Sequence, residues 1–484
     1  MSRLSHTWKV LTTADVNPAN QKCRSLPILS LRNQYSVNFL LSWLGFWSAF
    51  LSWFAFSPLI PEAVKEYLKL TSAQIGKSSA PLDICIQVSC STGNSNIISL
   101  LATLVVRIIV GPLVDAYGPR KVMACLLILG AIPSGLPGTI TSVGGLYVVR
   151  LFIGILGGTF VCCQAWTTVF FDTNIVGTAN AISAGWGNSG GGFTFIIMVA
   201  LYDRLIKDGV SQHVAWRAAF AIVPVPVLIT VAVLCLVFGT DHPNGRWADR
   251  FVVSDSVPES PKSESSIEDK DNEVHHHRTE VVLPELESEA MKAVNQKLTP
   301  AVALKALSTP LTWLPALAYM TTFGFELAID AYLAHIIFDL YKTEDFGQTK
   351  AGYLAATFGL MNVFTRALGG WAGDLLYARY GVPGKKYLTV ACGILQGVLS
   401  LAWGFYIDSR PDPPLGVFVL LMALCALFNE AGNGANFALV PHCNPNSNGS
   451  MSGFPNPLGK AFWISGVLAV SVNLLLVPIS VPTW

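Results

Sequence analysis

Charge is scarce in this sequence. Asp, Glu, Lys and Arg make up 13% of 484 residues, and 31 basic against 30 acidic residues leave a net charge of +1. There is no broad basic field of the kind that draws a protein to nucleic acid, so nucleic acid is excluded as a partner. Cysteine is present but unorganised. The ten residues fall mostly inside apolar runs (Cys125, Cys162, Cys163, Cys235, Cys425), with neither metal-ligand spacing nor the dense pattern of an extracellular disulfide framework. They read as free packing residues, and no metal or cofactor is expected. A cleavable leader is lacking too. Arg3, Lys9, Lys22, Arg24 and Arg32 precede the first long apolar run, no small-residue cleavage pattern ends a short one, and the first helix is expected to act as its own insertion signal. No nucleophile, metal set or acid–base pair stands at an accessible position, which argues against an enzyme.

What the sequence has in excess is apolar surface. Hydrophobic residues reach 52%, more than one soluble core buries. A run of about 20 apolar residues spans hydrocarbon as a helix, and such runs occupy roughly 36–60, 94–114, 120–140, 143–167, 178–201, 217–239, 311–338, 351–373, 386–407, 415–440 and 459–481. Between the sixth and seventh lies a polar stretch, 240–310, rich in Ser, Glu, Lys and Pro. Its His275, His276 and His277 read as solvated rather than metal-binding. The expected layout is a segment 1–35, a six-helix half over 36–239, the 240–310 loop, and a second half over 311–484. Basic residues in short flanks stay on the cytoplasmic side. The N-terminal segment, Arg120-Lys121 and Lys385-Lys386 then fall inside, and the 240–310 loop with them.

The halves repeat. Arg107-Ile-Ile-Val-Gly111-Pro-Leu-Val-Asp115 and Arg366-Ala-Leu-Gly-Gly370-Trp-Ala-Gly-Asp374 share Arg, Gly and Asp at identical spacing, in the second helix of each half. Parallel repeats mark many secondary transporters, whose site lies between the halves near the bilayer midplane. Eight residues, about 12 Å of helix, separate each arginine from its Asp, which puts both guanidinium groups near mid-membrane. An ionisable group there is a functional candidate by default. Two facing forks, planar and always charged, suit a small planar oxyanion. Arg150, at the outer start of the fourth helix, reads as snorkelling or structural. Glu326 and Asp330 lie four apart on one face of the seventh helix, where membrane acids are paired or titrating, and are candidates for proton coupling.

Several motifs carry a resemblance. Gly111-Pro-Leu-Val-Asp115-Ala-Tyr-Gly118-Pro-Arg120-Lys121 resembles the loop between helices two and three of the major facilitator superfamily. The fifth-helix run Ala184-Gly185-Trp186-Gly187-Asn188-Ser189-Gly190-Gly191-Gly192 resembles the first signature of the nitrate/nitrite porters of that superfamily. Close helix packing explains its glycines, but not the embedded Asn188. Tyr319-Met-Thr-Thr-Phe323-Gly in the seventh helix and Ala435-Asn-Phe-Ala-Leu-Val-Pro441-His442 in the tenth are further matches.

The resemblance covers nearly all of the chain outside the N-terminal segment and the central loop. It implies an all-α integral membrane protein with two pseudo-symmetric helical halves, twelve helices in the family and about eleven here. It implies import of nitrate, with nitrite as an alternative, together with protons across the plasma membrane. In its terms Arg107 and Arg366 clamp the anion, Asn188 assists, Tyr319 and Phe323 line the cavity, and Gly111, Asp115, Gly118, Arg120, Lys121 and Asp374 are structural or gating residues. The rival readings are another anion or organic-solute transporter of this fold, a non-transporting nitrate sensor signalling through the 240–310 loop, and an inactive product of a mis-spliced gene.

Two departures from the family pattern stand out. In family members Ser72-Ala-Gln-Ile-Gly76 leads almost directly into Asn94-Ser-Asn-Ile-Ile, whereas here Lys77 to Gly93 intervene. Gly76-Lys77-Ser78 is what a splice donor reading GGTAAGT would encode, and the insertion is expected to be a retained intron or an irregular extracellular loop. Further on, Met451-Ser-Gly-Phe454 passes straight to Pro455-Asn-Pro-Leu-Gly-Lys-Ala-Phe-Trp463, which resembles the start of the family's last helix. An eleventh helix with a second Gly-Asn-Gly-Gly signature is missing between them. Its loss is expected to invert the final helix, placing the C-terminus outside, or to leave that helix poorly inserted, and to abolish transport.

Overall fold

The computed structural model describes residues 8–59, 81–248, 308–443 and 461–479, isolated positions aside. Residues 77–80, most of the 240–310 loop and 444–460 lie outside the described residues. The first half contains α1 (Gln34–Trp53), α2 (Pro81–Tyr117), α3 (Pro119–Ser134), α4 (Val143–Ile153), α5 (Thr159–Phe170), α6 (Val176–Lys207), α7 (Gln212–Ile222) and α8 (Pro224–Phe238). The second half contains α9 (Pro310–Tyr341), α10 (Gln348–Tyr380), α11 (Val382–Asp408), α12 (Leu415–Cys443) and α13 (Ala461–Leu476). Seven helical columns among the described residues are long and apolar enough to cross a membrane. The punctuation is local: Asn33 caps α1 through Ser36 N at 2.7 Å, and prolines open α3, α8 and α9, where their missing N–H costs no helical hydrogen bond.

Two columns depart from a plain helix. α4 and α5 are joined by a 3-10 turn, Gly154–Gly158, and run as one broken column beside α2. α2 itself is 37 residues long, about 55 Å at 1.5 Å per residue against a hydrocarbon thickness of about 30 Å. The irregular loop expected over 77–93 is thus corrected from Pro81 onward. That stretch is helical, because it propagates from the apolar span that follows it and contains no internal proline after Pro81 to stop it.

The halves meet along α6 and α10, which run antiparallel backbone to backbone. Gly177 faces Asp374, Ala181 faces Gly370 and Gly185 faces Asn362. Farther along, a Cβ on Gly192 would stand 2.9 Å from the Leu360 amide nitrogen. Small residues permit this approach where hydrophobic driving force between helices is weak. The signature glycines divide their labour. Gly185 and Gly192 admit α10, while Gly187, Gly190 and Gly191 admit Phe46, Trp47 and Phe54 of α1. Trp186 packs edge-on against Trp43 at 5.4 Å.

The membrane face on which α8 ends and α9 begins, the loop face, is heavily bonded. Asp374 accepts from Thr178 N and Oγ1, both at 2.7 Å, and from Lys385 at 2.9 Å, tying α10 to the start of α6 and to α11. Gly118 has φ +89°, and Asp241 sits where its Cβ would be. Arg120 closes the same corner, its Nε 3.2 Å from Asp241 and its Nη1 3.0 Å from the Gly239 carbonyl. Burial raises the Asp241 carboxyl above its ordinary range, with Arg120 opposing. Trp247 donates to the Asp115 carbonyl at 2.9 Å, Gly111 is buried and Lys121 is exposed. The N-terminal segment docks here too: Cys23 N donates to Phe170 O at 2.9 Å, and Asn17 and Arg24 reach Asp172 at 2.8 and 3.4 Å.

One more expectation is corrected. Lys385 and Lys386, near the start of α11 on the loop face, are both buried, one on Asp374, the other donating to the carbonyls of Val477 and, at 2.6 Å, Ile479. The second contact fixes the direction of the last helix. Leu476 shares a hydrophobic cluster with Leu314, Val382 and Leu439, so α13 ends on the loop face and is not inverted. Packing against α9 and α11, through Asn473 on Thr321 at 3.1 Å and the lysine on its last carbonyls, sets this direction.

Candidate functional site

Arg107 is held by the break in the fourth column. The 3-10 turn bonds i to i+3, and its Gly157 carbonyl accepts from Arg107 Nε at 3.0 Å. Thr103, one turn earlier on α2, donates to the Gly154 carbonyl at 3.0 Å. The guanidinium then lies over two aromatic faces from opposite halves, Phe160 at 5.0 Å and Phe323 at 5.6 Å.

Arg366 is held differently. A Cβ on Gly434 would collide with the Arg366 carbonyl, so α12 can approach α10 closely enough for side chains to meet. Arg366 Nη2 contacts Glu326 Oε2 at 2.5 Å and Glu430 Oε2 at 2.7 Å, and Nε reaches Glu430 at 3.2 Å. Its Nη1 is buried without a hydrogen-bond partner among the described residues, and its Cζ lies 5.7 Å from the Phe437 ring.

Amides complete the arrangement. Glu326 accepts from Asn188 of α6, and from Asn362 of α10 and Asn433 of α12 at 2.9 Å each. Asn433 is itself fixed by Thr322 at 2.6 Å, and Asn429 donates to Glu430 at 3.0 Å. The link from Asn188 to Glu326 joins the two halves. Tyr319 and Phe323 stack at 4.7 Å with an 8° tilt, and Phe160 faces them nearly parallel, 6.1 Å from Tyr319 and 6.4 Å from Phe323. Phe437 tilts against Tyr319 at 5.3 Å. The result is a buried cluster with an arginine on either flank and aromatic faces between.

Of the residues singled out from sequence, the structure brings Arg107, Asn188, Tyr319, Phe323, Glu326 and Arg366 into one buried cluster. Asp330, also buried, lies one turn along α9, and no hydrogen bond to its carboxylate is made among the described residues. Arg150 does not snorkel: it is 3% exposed, donates to the Trp53 carbonyl at 3.4 Å and covers Phe56. The sequence reading missed Phe160, Asn362, Asn429, Glu430, Asn433 and Phe437. Asn429-Glu430-Ala-Gly-Asn433 interrupts the apolar tenth run, and the reasoning that selected Glu326 selects Glu430 as well. Among the described residues no cluster of His, Cys, Asp or Glu has the makings of a metal site.

Residues 42–467 match the family model described as Major Facilitator Superfamily. Nitrate transporter 2.2 of Chlamydomonas reinhardtii is 29% identical over 461 residues, covering 94% of this chain and 77% of that protein. High affinity nitrate transporter 2.5 of Arabidopsis thaliana is 29% identical over 487 residues, 96% of this chain and 84% of that one. Nitrate/nitrite transporter NrtP of a Picosynechococcus species is 25% identical over 497 residues, 90% and 84% of the two chains. Among solved structures, the proton:xylose symporter XylE bound to 6-bromo-6-deoxy-D-glucose superposes with a TM-score of 0.60 at 13% identity, covering 92% of this chain and 95% of that one.

Proposed function

Since this chain belongs to the Major Facilitator Superfamily, and is therefore a multi-pass membrane transporter rather than an enzyme, we propose that its central site binds nitrate, with nitrite as a second substrate, and that with the family's missing helix restored it carries them together with protons across the plasma membrane. The observation that carries this reading is the pair of buried arginines flanking flat aromatic faces. Arg366 has a free Nη1 donor, and Arg107 presents its guanidinium from the other half. Nitrate is planar, monovalent and an acceptor only, which matches planar donors set beside ring faces. The rings of Phe160, Tyr319 and Phe323 are nearly parallel, with Phe160 6.1 and 6.4 Å centroid to centroid from the other two, and offer flat apolar faces to a planar ion.

The names of the nitrate transporters among its relatives support the same substrate class. Alternating access would work through the α6–α10 seam, with Asn188 and Glu326 joining the halves at the level of the site. The test is binding to the purified chain of nitrate, nitrite, chloride, phosphate and a hexose under one set of conditions. Nitrate and nitrite are expected to bind in preference to the rest, and a preference for phosphate or the sugar would overturn the reading.

A further inference from the structure

Arg366 carries two carboxylates on one guanidinium, and that is one more than an anion-binding arginine needs. Both are fully buried, as is the arginine. The other charged or titratable groups near them are Asp330, Tyr319 and Cys425, with Arg107 across the aromatic stack. α6 contributes the Asn188 amide, and α11 contributes Ser400, bonded to Cys425, and Cys392 beside Gly432. With Glu326, Glu430 and Asp330 all ionised, three negative charges face two positive ones. An anion arriving at Arg366 then meets net repulsion and competes with carboxylates for the same N–H groups. Adding one proton with the anion removes both obstacles.

The geometry distinguishes which carboxylate takes it. A carboxylate offers about four lone-pair positions. In Glu326 all are used: Oε1 accepts from Asn188 and Asn362, and Oε2 from Arg366 and Asn433. A proton there displaces an existing donor. In Glu430, Oε2 accepts twice from Arg366, but among the described residues Oε1 accepts only from Asn429, which leaves one position open there. Asn429 suits either protonation state. Its Nδ2 now donates to Glu430 Oε1, and its buried Oδ1 has no partner among the described residues. Turning the amide over presents that oxygen to a carboxylic O–H at the same place.

We propose that Glu430 takes up the co-transported proton at Oε1, and that its neutralisation hands Arg366 over from carboxylate to anion. The inference rests on the anion-transport reading above. The proton enters with the anion on one side of the membrane, rides as Glu430 Oε1–H hydrogen-bonded to Asn429, and leaves on the other side as the anion departs and the Arg366–Glu430 ion pair re-forms. One proton moves per anion. Glu326, fixed by three amides, serves as a positioning residue for Arg366 and Asn188.

The test is calorimetric titration of the purified full chain with nitrate, in buffers of different ionisation enthalpy, which counts protons taken up per anion bound. The wild-type protein is expected to take up about one, so that its nitrate affinity weakens as the pH is raised. Glu430→Gln should take up none and bind nitrate with an affinity that does not change with pH. Glu326→Gln and Asp330→Asn should still take up a proton. Undiminished proton uptake in Glu430→Gln, or nitrate binding to wild type without a proton, overturns the proposal and leaves the nitrate reading standing. Failure of the wild type to bind either nitrate or nitrite overturns both. Should Glu430→Gln not fold, infrared spectroscopy of the wild type decides instead. A protonated-carboxyl band is expected on nitrate addition and should shift in Glu430→Asp; a band identical in both would overturn the assignment.

Discussion

Replacing Arg366 with lysine keeps one positive charge and removes the fork. In the structure Nη2 bridges Glu326 at 2.5 Å and Glu430 at 2.7 Å, Nε adds a contact at 3.2 Å, and Nη1 is left for the anion. A single ammonium can sit against one carboxylate, or between the two at longer range, but cannot also aim a donor toward the Phe437 side. At least one charge-assisted hydrogen bond is lost, worth about 1.5 to 3 kcal/mol, and a less compensated buried carboxylate pushes the cost toward the upper figure. Loss of the Nη1 donor lowers anion affinity by about ten- to a hundredfold.

Arg107→Lys is the informative companion. Its Nε bonds a neutral carbonyl and its face covers rings, so anion affinity should fall while stability drops less, by about 0.5 to 2 kcal/mol. Thermal unfolding of each purified variant, with and without nitrate, reads both quantities alongside surface expression in cells. A wild-type unfolding temperature together with wild-type nitrate affinity in Arg366→Lys would show that neither the carboxylate bridge nor the anion fork exists.

Three further outcomes follow from the packing. Asp374→Asn removes the charge that binds Lys385 and weakens the cap on Thr178, so a cysteine at the buried Ala438 beside it should be labelled several-fold faster by a maleimide; an unchanged rate counts against the seam. Gly190→Ala drives a methyl into the Trp47 carbonyl and should cost about 1 to 3 kcal/mol, whereas Gly416→Ala, with open space around it, should lie within about 0.5 kcal/mol of wild type; equal unfolding temperatures would refute the close α1–α6 approach. Uptake of labelled nitrate by this sequence, in cells lacking their own porter, is expected to be absent and to appear when a family-type helix is restored between Phe454 and Pro455. Equal uptake by both would show that helix to be dispensable.

Much of the site was legible because buried charge is costly. Arg107, Arg366 and Glu326 announce themselves as ions in apolar runs, and the matched Arg–Gly–Asp spacing pairs the arginines without any structure. Partners were not legible. Whether Arg366 meets a carboxylate depends on how closely α12 approaches, which Gly434 decides through a contact between helices nearly 70 residues apart in sequence. Phe160 looked like any packing aromatic, since only the 3-10 break in its column brings its face beneath Arg107. The partners of Lys385 and Lys386 were hidden for a related reason. Flank statistics treat a lysine pair as a surface marker, while here a cross-helix carboxylate and two helix-terminal carbonyls draw both inward.

The direction of the last helix carries a parity problem. α12 runs out at Cys443 on the loop face, and α13 finishes on that same face beside Lys386. A chain that leaves a surface and returns to it must cross an even number of times, yet only one described helix lies between those two points. Residues 444–460, which join α12 to α13 in the sequence, contain four asparagines and three prolines and are fewer than the roughly 20 apolar residues that a spanning helix needs. Backbone without internal hydrogen bonds is not tolerated against lipid. Packing on α9 and α11 and the order in which the chain is made therefore pull the last helix in opposite directions.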